Sequence, residues 1–79
     1  MAEKYKYQVN SYRDLFGFNL WRLMKERDLT NREMADKLDC SIDNVRRWKL
    51  GSFPTDETAH YLSLILDCNF DEFFKKREI

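Results

Sequence analysis

Seventy-nine residues, 43% of them hydrophobic and 15% aromatic, suffice for one small domain and exclude two. The 14 basic and 14 acidic residues cancel, so the chain lacks the strong overall positive charge of a protein that coats DNA regardless of sequence. No apolar run approaches the ~20 residues of a membrane span and no signal-peptide core opens the chain, so a cytoplasmic setting is expected.

Residues 1–11 form a candidate N-terminal arm. Within it "YKYQV" (5–9) alternates apolar and polar side chains, but five residues cannot make a sheet alone. A helix is predicted from near Tyr12, where Ser11 and Asp14 resemble a capping box. Phe16, Leu20, Leu23 and Arg27 then follow at spacings of four, three and four, one face of a helix. Gly17 interrupts it at a cost of up to ~1 kcal/mol relative to alanine, which favours a later start. Asp28 ends the run.

Thr30 with Glu33 is a second capping box and opens a short helix carrying Met34, Ala35 and Leu38. After "LDCS", Ser41 caps a third helix with Asp43 in its first turn, where the helix dipole favours an acid. Val45 and Trp48 are predicted to face inward, and Gly51 to end the helix. Phe53, preceding Pro54, is expected to be extended. Thr55 caps a fourth helix whose buried stripe is Ala59, Leu62, Ile65 and Leu66. A turn capped by Asn69 leads into a last short helix with Phe70, Phe73 and Phe74. No strand–helix alternation appears, so the prediction is all-α, with about five short helices: an arm (1–11), a domain (12–76) and a tail (77–79).

Charge is uneven along the chain. Residues 20–53 carry eight positives against six negatives, and residues 54–79 carry three against six. Cys40 and Cys68 lack paired metal-ligand spacing and are read as buried thiols; His60 is an ordinary helix residue. The acids look like helix starts rather than a catalytic pair. No enzyme, cofactor or metal site is expected.

The second and third predicted helices are separated by only about three residues. Helices joined that tightly cross steeply, as in a helix-turn-helix. From Leu20 to about Phe74 the chain carries "LWRLMKERDLTNREMADKL", "SIDNVRRWKLGSFP" and "ETAHYLSLILDCNFDEF" in order. In these pieces it resembles the Cro/phage-repressor-like (XRE-type, lambda-repressor-like) helix-turn-helix family. A leucine-led first helix precedes a Leu-Thr start to the second. A Ser-capped third helix holds an inward tryptophan, and a Gly and then a Pro close it.

The resemblance implies sequence-specific binding of double-stranded DNA, as a homodimer, in control of transcription, with repression the expected direction. It implies that the third helix (about 42–50) enters the major groove, with Ile42, Asp43, Arg46 and Arg47 toward the bases. It places Asn31 and Asn44 at phosphates; Thr30, Arg32 and Lys49 join them as expected phosphate contacts.

Physical chemistry agrees with part of this. Either arginine can present a two-pronged donor to guanine O6 and N7, Ile42 can meet a thymine methyl, and Asp43 can accept only from cytosine N4. Four positions depart from the family. Where the family commonly ties its first helix to its third by an Arg–Glu pair, this chain has Met24 and Lys49, and Met24 is expected to pack on the lysine stem. Asp28 and Asp39 stand where glycine is usual.

Tyr61 and Leu64 fall off the fourth helix's stripe, and one short helix is not expected to bury Phe70, Phe73 and Phe74 together. These five residues form an expected dimer or partner surface, unless the arm bearing Tyr5, Tyr7 and Val9 covers it. The neutral charge, Asp39, Asp43 and this aromatic end also support an alternative: a protein-interaction module of the same fold that modulates another regulator or a toxin, as antirepressors and antitoxins do.

Overall fold

The computed structural model describes residues 12–75. The arm, its capping Ser11 and the tail lie outside the described residues. Within them run α1 (Tyr12–Glu26), α2 (Asn31–Leu38), α3 (Ile42–Lys49), α4 (Asp56–Ile65) and a 3-10 helix (Phe70–Phe74). The all-α prediction of about five helices holds, and no strand occurs among the described residues.

Local chemistry sets the helix starts. At α2, Glu33 N–H donates to Thr30 Oγ1 at 3.1 Å while Thr30 N–H donates to Glu33 Oε1 at 2.9 Å, a reciprocal capping box. Ser41 Oγ accepts from Asn44 N–H, and Thr55 Oγ1 from Thr58 N–H. Asn69 departs from expectation: its side chain makes no capping bond to the 3-10 helix.

The helix ends share one design. Each α-helix closes with a six-to-one bond paired with a shorter one beside it, the Schellman arrangement. The bonds are Leu29 N–H to Met24 O, Cys40 N–H to Ala35 O, Ser52 N–H to Arg47 O and Cys68 N–H to Ser63 O. The motif needs a positive φ just past the helix, supplied here by Asp28 (57°), Asp39 (57°), Asp67 (53°) and Gly51 (113°). The first three values lie in the left-handed region that aspartate tolerates at a cost. The φ of Gly51 lies beyond it, and a Cβ there would stand 3.2 Å from Asp14 Oδ1.

Each aspartate also sets a negative charge against the negative end of a helix dipole. Asp28→Gly, Asp39→Gly and Asp67→Gly are therefore each expected to stabilise the fold by about 0.5–1 kcal/mol, because relief of strain and of charge repulsion exceeds glycine's extra chain entropy. Denaturant midpoints of the three variants check this.

The core holds Phe16, Leu20, Leu23, Met24, Met34, Ala35, Val45, Ala59, Leu62, Leu66 and Phe73, all essentially inaccessible. α1 packs against α3 and the 3-10 helix, and α2 packs against α3 and α4. Gly17 does not delay α1, which already includes Tyr12. A Cβ on Gly17 would fall 2.6 Å from Lys49 O and 2.9 Å from Trp48 O, so the glycine is what lets α1 and α3 touch through their backbones.

Asn19 is wholly buried. Its amide donates to Phe73 O at 2.8 Å and Lys75 O at 2.9 Å, fastening the C-terminal 3-10 helix to α1. Arg27, the polar end of the predicted α1 stripe, donates through Nε to Leu66 O at 2.5 Å and so satisfies the end of α4.

Candidate nucleic-acid interface

α2 and α3 are joined by residues 39–41 alone. The chain turns between them through a left-handed Asp39 and an extended Ser41, a link of helix-turn-helix length. Val45 is fully buried and Trp48 packs on the core from the same side, which fixes how α3 is rotated. At 3.6 residues per turn, Asp43, Arg46, Arg47 and Leu50 then share an outward arc of about 100°. All four are exposed.

Each arginine on that arc is met from one turn earlier. Arg47 Nη2 donates to Asn44 Oδ1 at 2.6 Å, a charge-assisted bond that steadies the guanidinium. Arg46 Nη1 lies 3.8 Å from Asp43 Oδ1 with both side chains exposed, a pair too long and too wet to hold either group firmly. Arg46 is therefore the freer of the two, and Arg47 the better organised.

The other expected site residues divide by what they already touch. Ile42 is half-buried against the core, so only part of its apolar surface is open. Leu50, which sequence reasoning passed over, is 84% exposed and is the apolar residue on the outward arc. Helical arithmetic from Asp43 and Arg46 was the signal that could have found it.

Thr30 spends its hydroxyl in the capping box, and Arg32 is exposed beside it. The N–H groups of Asn31 and Arg32, in the first turn of α2, have no preceding helical carbonyl to bond. Lys49 lies half-buried at the end of α3, and its Nζ donates to Asn31 Oδ1 at 2.5 Å. Burial pushes the Lys49 ammonium below the usual lysine range.

The expected partner surface is corrected at one residue and reduced at two. Phe73 is completely buried, because its ring packs 4.7 Å from that of Phe16. Phe70 and Phe74 are half-buried against the same cluster, and Phe70 also stacks on His60 at 4.3 Å. Tyr61 and Leu64 are exposed, at 51% and 73%. Cys40 and Cys68, expected to be buried, are half-buried, and burial raises both thiols above their usual range.

Two short helices joined by three residues, the second with an outward cationic pair, are the arrangement of a helix-turn-helix DNA-binding domain. The family model of the Cro/C1-type HTH DNA-binding domain matches residues 19–76, and the chain belongs to that family. It is a family of DNA-binding transcription regulators and not one of enzymes. No curated protein matches the chain, and no solved structure matches it. Among the described residues no helix is long and apolar enough to cross a membrane.

Proposed function

We propose that this chain is a sequence-specific repressor of transcription that lays α3 in the major groove of double-stranded DNA. The observation that carries the reading is the outward display of Arg46 and Arg47 opposite the buried Val45 and half-buried Trp48. Arg47, steadied by Asn44, suits a two-pronged contact with guanine. Arg46 has the freedom to take a base or a phosphate. Arg32 and the first amides of α2 suit phosphate oxygens, which set register without reading sequence. Two copies joined through the surface around Tyr61 and Leu64 would meet half-sites ~34–36 Å apart on one face of the duplex.

A second reading has its own observation. Leu50 is exposed on the same arc, which Asp43 shares, and Asp39 stands just before α3. An exposed apolar residue on an arc of mixed charge also suits a protein partner, as in an antirepressor or antitoxin.

Titration of a mixed-sequence duplex across a salt series separates the two. DNA binding predicts a log–log slope of about −0.9 for each phosphate neutralised. Absence of binding at low salt would overturn the first reading and leave the second.

A further inference from the structure

The contact between Lys49 and Asn31 joins the end of α3 to the start of α2, across 18 residues of sequence. Its setting is constrained from three sides. The Lys49 backbone is pressed against α1, since a Cβ on Gly17 would come within 2.6 Å of its carbonyl oxygen. Met24, standing where the family commonly carries the arginine of an ion pair, is buried and uncharged. Lys49 lies about 160° around α3 from Arg47 and about 60° from Arg46, at the half-buried edge of the outward arc. The lysine therefore reaches α2, and the ammonium, having lost part of its water, depends on the Asn31 oxygen.

The consequence falls on Asn31. An asparagine amide has an accepting arm and a donating arm. With Oδ1 fixed on a cation, the NH2 group is turned the opposite way. Recognition of adenine needs both arms at once. A phosphate oxygen needs the donor alone.

We propose that Lys49 is a positioning residue that fixes the Asn31 side chain as a one-sided donor to a DNA backbone phosphate, without touching that phosphate itself. This rests on the DNA-binding reading given above.

The test has two arms. In the free protein, 15N relaxation reports the order of the Asn31 side-chain amide. It is expected to be ordered in the wild type, loosened in Lys49→Met and restored in Lys49→Arg, which keeps a donor. Equal order in the wild type and Lys49→Met overturns the proposal.

The second arm titrates a mixed-sequence duplex. Asn31→Ala and Lys49→Met are each expected to weaken binding roughly fivefold to tenfold, the scale of one hydrogen bond, and the double variant no more than either. The salt slope is expected to stay at the wild-type value in Lys49→Met. A slope smaller by about 0.9 would mean that Lys49 itself displaces a counterion, and would overturn the proposal. Additive losses would do the same. A wild type that binds no duplex at any salt removes the functional reading and this inference together. Binding by the wild type with an indifferent Lys49→Met removes this inference alone.

Discussion

Phe16→Ala is expected to lower the unfolding free energy by about 3–5 kcal/mol, the largest single-site loss in the domain. Phe16 is fully inaccessible, and its ring meets Phe53 at 4.9 Å edge-on and Phe73 at 4.7 Å, with Phe74 at 6.1 Å. Truncation removes the transfer free energy of the ring and leaves a cavity whose walls come from α1, the loop before Pro54 and the 3-10 helix. Those walls cannot collapse together, because Asn19 holds the 3-10 helix on α1 and Schellman turns fix the helix ends. A domain of this size has roughly 0.05–0.15 kcal/mol of stability per residue, so the loss takes at least about a quarter of the margin and, at the low end of that range, all of it. Urea unfolding measures it, and Phe16→Leu, which refills much of the space, is expected to lose less than half as much. A loss near 1 kcal/mol for the alanine variant would mean that the aromatic cluster is not the centre of the fold.

Gly17→Ala carries the second large effect, and here the sign is the test. Helix propensity alone gives the substitution a gain of about 1 kcal/mol. Packing opposes it: the new methyl would meet backbone atoms of α3 at 2.6 and 2.9 Å, and a carbonyl cannot rotate away as a side-chain tip can. Overpacking costs about 1–3 kcal/mol, and contacts this short with backbone put it toward the upper end, so a net loss of about 1–2 kcal/mol is expected, with α3 pushed off α1. Because α3 carries Arg46 and Arg47, weaker DNA binding is expected to accompany the lost stability. A thermal melt at or above that of the wild type would show that α1 and α3 are not in backbone contact.

Much of the fold was legible because its determinants are local. The Thr30–Glu33 capping box, the Ser41 and Thr55 caps and the outward phase of Arg46 and Arg47 each depend on residues within one or two turns. What sequence reasoning missed depends on partners far along the chain. Gly17 reads as a flaw in a helix until Lys49 stands beside it. Asn19 drew no notice in the sequence, because the carbonyls of Phe73 and Lys75 that hold it lie more than fifty residues away. Phe73 reads as exposed because the short helix that carries it cannot bury it, and α1 does so instead. Asp28 and Asp39 were legible as departures from glycine, but that both keep the left-handed turn is a property of the backbone and appears only in φ. At the candidate interface the resemblance pointed to Asp43, Arg46 and Arg47, and helical periodicity would have added Leu50 to their arc, whereas the Lys49–Asn31 bond joins two elements and had no signal in spacing.

Selection of bound duplexes from a random DNA pool, with the wild type and Arg47→Ala in parallel, puts the central claim to its most direct test. The wild type is expected to enrich a motif containing a guanine that Arg47→Ala no longer demands, with a loss of ~1–3 kcal/mol confined to that base pair. No enriched motif from the wild type, or the same motif from both proteins, would contradict the account.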